Sequence, residues 1–157
     1  MAGTMINVVL VEPEIPPNAG NIVRTCAATG VPLHLIEPLG FSLEDRYLRR
    51  AGLDYWPDVD LTVHPSFPVF LEREQPTRLA ALSTRGEVPY TQMAATDGTY
   101  LLFGPESRGL APTLLEQLQP DVYRIPMRRN QRSLNLSNAV AVVVYALLAA
   151  RGFEGLT

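Results

Sequence analysis

Short apolar runs alternate along the chain with amphipathic or polar stretches. Six runs are rich in β-branched or other apolar residues, as expected for strands buried in a parallel sheet: 6–11, 31–36, 60–64, 79–82, 99–103 and 122–125. Helical patterns occupy residues 18–28, 42–52, 66–75, 112–119 and 139–150. This alternation predicts an α/β fold with a mostly parallel sheet and helices on both faces.

Short polar side chains stand where several of these helices should begin. Asn18 can cap the first helix, and Ser42 with Asp45 forms a capping-box pattern for the second. Ser137 or Asn138 can cap the last helix by accepting hydrogen bonds from its free N–H groups. These residues set the predicted helix starts.

The last helix, residues 139–150, is apolar on all sides of its axis. A membrane span needs roughly 18 or more apolar residues, and this run is shorter. We therefore expect the sheet to cover one side of the helix and a second subunit to cover the other. The polar loop before the helix would then lie beside the subunit boundary.

Length and composition favour one domain, residues 1–157, in which residues 1–4 form an added start before Met5. Cys26 is the single cysteine, so no disulfide forms within the chain. His34 and His64 lie far apart in sequence and make no metal-binding pattern. A cytoplasmic protein without a membrane segment or a metal ion is expected.

Basic residues are clustered although the net charge is −3. All thirteen are arginines, and six of them fall in two groups, 46–50 and 128–132. Local clusters of this kind can bind phosphate even on an acidic protein. For either group taken alone, a solvated surface explains the pattern equally well.

Candidate chemistry lies after the strands, because ligands of parallel α/β sheets bind beyond the carboxyl ends of the strands. Residues 12–24, 82–86 with 103–109, and 125–138 are richer in polar and glycine residues than turns require. The chain contains no G-x-x-x-x-G-K-[ST], G-x-G-x-x-G or G-x-S-x-G pattern. His34 and His64 lie in or at the end of apolar strands, which favours structural roles.

Three motifs occur in these stretches: N-x-G-N-I-x-R at 18–24, LLFGPESRGL at 101–110, and IPM at 125–127 with SLNLSNA at 133–139. In this order they resemble the three motifs of the SPOUT methyltransferases, and the resemblance covers residues 6–152. In its short length, and in EPEIPPN at 12–18 and RRAGLDY at 49–55, the chain is most similar to members that methylate the ribose 2′-hydroxyl of the wobble cytidine or uridine of tRNA.

This resemblance implies a deep C-terminal trefoil knot, S-adenosylmethionine (S-adenosyl-L-methionine) as cofactor, and a homodimer whose active site takes residues from both subunits. Arg24 would be catalytic and would face the methyl group across the interface. The implied cofactor-binding residues are Leu82, Thr84, Gly104, Glu106, Ile125, Met127, Ser133, Leu134 and Asn135. The implied tRNA-binding residues are Asn18, Arg46, Arg49, Arg50 and Tyr145.

The expected role of Arg24 follows from the chemistry of its side chain. Arginine stays protonated in proteins and is a poor general base. We expect Arg24 instead to fix the hydroxyl and an adjacent phosphate while stabilising developing negative charge. Whether Asn18, Asn135 and Ser137 hold the loops or the ribose is left open by the sequence.

Two alternative functions fit the same sequence. One is a catalytically silent, dimeric RNA-binding module that keeps the fold. The other is a ribose methyltransferase that acts on ribosomal RNA, against which the lack of an added RNA-binding domain counts. Binding of S-adenosylmethionine separates the enzyme from the silent module.

Overall fold

A computed structural model describes residues 6–52 and 57–157. Its strands are β1 (Ile6–Val11), β2 (Leu33–Ile36), β3 (Leu61–His64), β4 (Arg78–Leu82), β5 (Val88–Pro89), β6 (Thr99–Phe103) and β7 (Val122–Arg124). Its α-helices are α1 (Pro16–Thr29), α2 (Arg46–Gly52), α3 (Phe67–Glu74), α4 (Pro112–Leu118) and α5 (Leu136–Ala150). The expectation for residues 1–4 and part of the 49–55 motif lie outside the described residues.

The seven strands form one sheet in the order β3-β2-β1-β6-β4-β7-β5. Every strand pair in the described ranges is parallel. Each face of the sheet carries its own apolar core, because successive strand residues point to opposite faces. Val8 and Leu10 pack with residues of α1 and α5, whereas Val9 packs with residues of α3 and α4.

The predicted α/β class and helices on both faces are confirmed, and the sheet is wholly rather than mostly parallel among the described strands. Strand β5 was missed because it has only two residues, Val88 and Pro89. A run of that length carries no periodicity. Its place at the edge of the sheet suits a proline, which cannot donate to a strand ladder.

Two predicted helix caps are wrong. Helix α1 begins two residues before Asn18, after Ile15, and has proline in its first turn. Asn18 is buried within this helix. Because its side chain does not cap the helix, it is available for another contact. Helix α5 is capped by Asn135, whose side chain accepts hydrogen bonds from the backbone N–H groups of Ser137 and Asn138.

Helix α2 also begins later than the capping-box pattern predicted. The carboxylate of Asp45 accepts hydrogen bonds from the backbone N–H groups of Tyr47 and Leu48 at 2.8 and 3.3 Å. The hydroxyl of Ser42 accepts only from the N–H of Glu44, in the turn before the helix. Asp45 is therefore the cap. Helix α2 packs against α1.

Helix α5 buries one side and exposes the other. The sheet-facing side consists of Val140, Val143, Val144, Leu147 and Leu148. On the opposite side Val142 is 38% exposed and Tyr145 is 43% exposed. The sheet thus covers one side as predicted. In the described ranges, no helix has both the length and the apolar character needed to cross a membrane.

Candidate active site

A cavity of about 630 Å³ opens at the carboxyl edge of the sheet. The loops after β4, β6 and β7 form its wall together with the first turns of α1 and α5, because parallel strands end at the same edge. All nine residues that the sequence resemblance proposed for cofactor binding line this cavity: Leu82, Thr84, Gly104, Glu106, Ile125, Met127, Ser133, Leu134 and Asn135. Their contacts with a cofactor stay a prediction.

Glycine allows the cavity loops to approach one another closely. A Cβ atom at Gly104 would lie 2.3 Å from the backbone nitrogen of Leu110, a distance that real side chains do not reach. A Cβ at Gly86 would lie 2.6 Å from the carbonyl carbon of Tyr123. The loop after β6 folds back on itself, and the loop after β4 packs on β7, only because these positions lack side chains.

Glu106 ties the loop after β6 to the start of α1. Its carboxylate accepts hydrogen bonds from the backbone N–H groups of Glu14 and Ile15 at 2.8 and 2.9 Å. The side-chain amide of Asn18 donates a third bond, at 3.1 Å. Both carboxylate oxygens are therefore engaged within the protein. The geometry favours a loop-holding role for Glu106 over direct contact with a ligand.

Asn18 extends this connection to the last helix. Its side-chain oxygen accepts a hydrogen bond of 3.0 Å from the amide of Asn135, and the oxygen of Asn135 caps α5. The hydroxyl of Ser137 donates to the same oxygen at 2.6 Å. These hydrogen bonds link Glu106 to Asn18 and Asn18 to Asn135. We call this connection the motif bridge, because it joins one residue from each of the three sequence motifs.

A second set of contacts, missed from the sequence, holds the loop after β1. Glu14 accepts hydrogen bonds from the backbone N–H and the hydroxyl of Ser107 at 2.8 and 2.9 Å. These bonds, and to a smaller extent the Arg108 guanidinium, lower the pKa of the Glu14 carboxyl. Arg108 also pairs with Glu12 at 2.7 Å. The Glu-Pro-Glu sequence was the available signal, since it places two carboxylates close together after β1.

The loop between β7 and α5 contributes part of the basic charge near the cavity, which Arg85 and Arg108 of other loops also line. Arg132 lines the cavity, and Arg128 and Arg129 are exposed in the same loop. Arg124, at the end of β7, donates a hydrogen bond to the backbone carbonyl of Thr84. Arg124 was not among the predicted residues. Its contact fixes the loop after β4 against the strand.

Arg24 lies on α1, away from the cavity lining of its own chain. It is exposed, whereas its neighbours Ile22, Val23 and Cys26 are buried. Helical spacing in the sequence sets Arg24 apart from Ile22, Val23 and Cys26, and the structure agrees, since its side chain points away from the local core. Tyr145, on the exposed side of α5, is likewise absent from the cavity lining.

The three arginines proposed for tRNA binding lie on α2 and differ in their surroundings. Arg46 is exposed, donates a hydrogen bond to the hydroxyl of Tyr47 at 2.9 Å and stacks over its ring. Arg49 is half-buried and donates to the backbone carbonyl of Leu43 at 2.8 Å. Arg50 is exposed. Arg46 and Arg50 are better placed than Arg49 to contact a phosphate.

Comparison with known proteins identifies the family. The model of the SpoU rRNA Methylase family matches residues 5–145. The chain belongs to the SpoU methylase family. The motifs found in the sequence, and the motif bridge that joins them, fall within the matched range.

Relatives of this SpoU methylase are similar to it over almost their whole length. It is 52% identical over 152 residues to the tRNA (cytidine(34)-2′-O)-methyltransferase of Escherichia coli strain K12, covering 96% of this chain and 97% of the relative. It is 53% identical over 152 residues to the protein of the same name from Saccharophagus degradans, covering 96% and 99%.

Solved structures agree with the fold of this SpoU methylase. One, described as giving insights into "2-OH methylation of C/U34 on tRNA", has a TM-score of 0.89 and 50% identity, covering 95% of this chain and 98% of its own. The SpoU methyltransferase AviRb from Streptomyces viridochromogenes, solved with AdoMet, has a TM-score of 0.87 over 98% of this chain and 63% of its own. Its 22% identity supports the fold alone.

Proposed function

We propose that this chain transfers a methyl group from S-adenosylmethionine to the ribose 2′-hydroxyl of the wobble nucleotide of tRNA, a cytidine or uridine at position 34. The observation that carries the proposal is the motif bridge, which brings all three methyltransferase motifs to one cavity. The names of relatives about half identical to the chain support the choice of tRNA and of position 34.

The cavity suits S-adenosylmethionine in size and in chemistry. Its volume of about 630 Å³ lies within the range of roughly 300–1,000 Å³ typical of small-molecule sites. Leu82, Ile125 and Leu134 offer apolar surface for an adenine ring, and the loop at 104–109 offers backbone groups for polar atoms. When bound, the cofactor supplies a methyl group on a positively charged sulfur.

The residues around the cavity would act mainly by positioning. Orienting two reacting groups in a closed site can supply roughly 7–11 kcal/mol of the barrier. Glu106, Asn18 and Asn135 fix the relative positions of the three loops. Arg24 would hold the ribose hydroxyl and a neighbouring phosphate and stabilise the negative charge that develops on the oxygen. This transfer needs no metal ion.

We further propose a homodimer with composite active sites. Arg24 does not line the cavity of its own chain, so the arginine that serves each cavity would come from the partner subunit. The exposed side of α5, with Val142 and Tyr145, would supply the contact between subunits. Leu134, 42% exposed at the cavity, would link that contact to the site.

The remaining features follow from family membership. We propose that residues 1–157 act as one SPOUT domain and that its C-terminal segment passes through a loop to make a trefoil knot. Close packing of the loops after β4, β6 and β7 supports this arrangement. A cytoplasmic location would give the protein access to tRNA. Arg46, Arg49 and Arg50 would contact that RNA, whereas Tyr145, first expected to bind tRNA, is assigned to the contact between subunits.

A second candidate is ribose methylation of ribosomal RNA, favoured by the description of the matching family. The test is to incubate the purified protein with methyl-labelled cofactor and separated pools of tRNA and ribosomal RNA. We expect label in tRNA alone. Label in ribosomal RNA alone would replace the proposal with the second candidate. Cofactor binding without label in either pool would indicate a silent RNA-binding module.

A further inference from the structure

Two histidines meet on the α3 side of the sheet, away from the active-site cavity. His34 on β2 and His64 on β3 lie on adjacent parallel strands, where His34 is opposite Thr62 and His64 is opposite Ile36. Nδ1 of His34 and Nε2 of His64 are 3.1 Å apart. Both are buried, with 4% and 0% exposure. The fold therefore joins two residues whose separation along the chain gave no metal pattern.

A carboxylate completes the cluster. Glu74, the last residue of α3, places its oxygen Oε1 4.0 Å from Nε2 of His34. The hydroxyl of Tyr100 donates a hydrogen bond of 2.9 Å to the same oxygen. Burial, and then the bond to Glu74, raises the pKa of Tyr100 to about 12. Tyr100 thus stays a proton donor and orients the carboxylate.

We propose that His34, His64 and Glu74 bind a divalent transition-metal ion of the zinc type. One ligand atom from each residue lies within 4.8 Å of the others. Tetrahedral zinc holds its nitrogen and oxygen ligands about 3.3 Å from one another, given bonds of roughly 2.0–2.2 Å. Nδ1 of His34 and Nε2 of His64 already have this spacing, and closure requires the Glu74 carboxylate, 4.0 Å from Nε2 of His34, to move towards them.

Hydrogen bonding around His34 leaves one of its ring nitrogens for a metal ion. Asn7 lies 3.2 Å from Nε2 of His34, and a hydrogen bond from that N–H to Asn7 leaves Nδ1 free to bind. Such an outer hydrogen bond is the usual support of a metal-bound histidine.

An open approach leads to the cluster. A second cavity of about 530 Å³ is lined by His34, Glu74 and Tyr100 together with the carboxylates of Asp60 and Asp97. Asp60 and Glu74 add negative charge that favours a cation, whereas the Asp97 carboxylate is paired with Arg151 at 2.8 Å. The cavity can supply a water molecule as the fourth ligand. Nitrogen ligands select a transition metal over magnesium or calcium.

The second cavity opens at the other end of the strands from the proposed methyl transfer, and His64, the last residue of β3, lies behind it. The second cavity is lined by residues at or before the starts of β1, β2, β3 and β6, whereas the active-site cavity opens where strands end. A bound metal would join two strands to α3 and stabilise the fold. It would have no part in the reaction.

The test uses untagged protein, stripped with a chelator and titrated with Co²⁺, which has visible absorption bands in tetrahedral sites, and then with Zn²⁺ by calorimetry. We expect one ion per chain, tetrahedral cobalt bands and a higher Tm. Glu74→Gln should weaken Co²⁺ binding at least about tenfold. Glu72→Gln, an exposed position on the same helix, is the matched control and should bind normally.

Glu74→Gln keeps an oxygen that can accept from Tyr100, so it tests binding without removing that contact. The absence of saturable Co²⁺ binding would overturn the proposal. Equal affinity of the wild type and Glu74→Gln would also overturn it. So would a sulfur-to-cobalt charge-transfer band, because that band would place the ion at Cys26 instead.

Discussion

Arg24 is the residue on which the proposed mechanism depends most. Arg24→Ala should lower turnover on tRNA on the order of a hundredfold or more, as expected when a transition-state contact is lost. The free energy of unfolding should change by no more than about 0.5 kcal/mol, because the side chain is exposed. Single-turnover methylation and denaturant unfolding check the two expectations.

Arg24→Lys separates charge from geometry at this position. Lysine keeps the positive charge but loses the planar fork, so a strongly impaired lysine variant would indicate two-pronged positioning. The matched control is Arg73→Ala, which removes an exposed arginine on α3 and should keep normal turnover. Near-normal turnover of Arg24→Ala would show that another group carries the reaction.

His34 and His64 should make stability depend on pH. Burial lowers the pKa of both in the folded protein. In the unfolded chain both keep the ordinary histidine pKa of about 6.5, so that chain binds more protons once the pH falls below this value. Their contribution is therefore complete above about pH 6.5 and is lost as the pH falls through the lower folded values. Thermal unfolding in chelator at about pH 7.5 and about pH 5.5 measures the loss.

The histidine effect can be separated from that of Glu14 by its pH range and by a variant. The lowered pKa of Glu14 also removes stability in acid, but only below its ordinary range near 4.5. His64→Asn should flatten the dependence between the two test conditions, because one of the titrating groups is gone. Equal stability of the wild type at both conditions would contradict the expected direction of the histidine pKa values.

At single residues, the sequence predicts exposure better than it predicts partners. The exposed position of Arg24 follows from helical spacing, because a periodic pattern assigns faces. The bonds from Glu14 and Ile15 to Glu106 join residues more than 90 positions apart. No local pattern contains that information. The motif resemblance named Glu106 and Asn135 for the cofactor and Asn18 for tRNA, without giving the contacts between them.

Among the elements, α5 and its cap matter most for the site. Asn135→Ala removes the acceptor that caps α5 and also the bond to Asn18. We expect a loss of about 1 kcal/mol in the free energy of unfolding, within the range of roughly 0.5–2 kcal/mol for caps. Urea unfolding at one fixed protein concentration measures it, because dimerisation would make stability depend on concentration.

Ser137→Ala is the matched control for this cap. It removes a hydroxyl that donates to Asn135 but leaves the capping oxygen in place, so it should cost less than Asn135→Ala. If the alanine variant at 135 is as stable as the wild type, the cap does not support α5. Reduced cofactor affinity in the same variant would link the cap to the cavity.

Strands and helices follow from the sequence where a period is long enough to see. Strand β1, buried except for its last residue, was predicted with its full length, because six consecutive residues carry the pattern. Helix starts were less accurate. A proline in the first turn of α1 supplies the start that a polar cap was expected to give. Asp45 caps α2 and Asn135 caps α5, although neighbouring polar residues were expected to be the caps.

For the whole molecule, the exposed side of α5 predicts association between two copies. Val142→Glu should shift the protein towards monomer, because a carboxylate would be buried at the contact. Val143 is not suited to this test, since it is fully buried against its own core. Sedimentation at micromolar concentration measures the change, and Gln117→Glu, on an exposed position of α4, is the control.

Dimerisation also bears on activity, because Arg24 lies away from its own cavity. A folded Val142→Glu monomer should bind cofactor but transfer little methyl. Wild-type protein that sediments as a folded monomer and is fully active would contradict the composite site. The sequence predicted a covered α5 from its composition, but it gives no information on which residues of a second chain provide the cover.

The central claim is that the methyl group goes to the 2′-hydroxyl of nucleotide 34. The most direct measurement compares a tRNA substrate with two versions that carry a single 2′-deoxy substitution, one at position 34 and one at position 32. The account predicts one methyl group on the unmodified and 32-deoxy substrates and none on the 34-deoxy substrate. Normal methylation of the 34-deoxy substrate would contradict it.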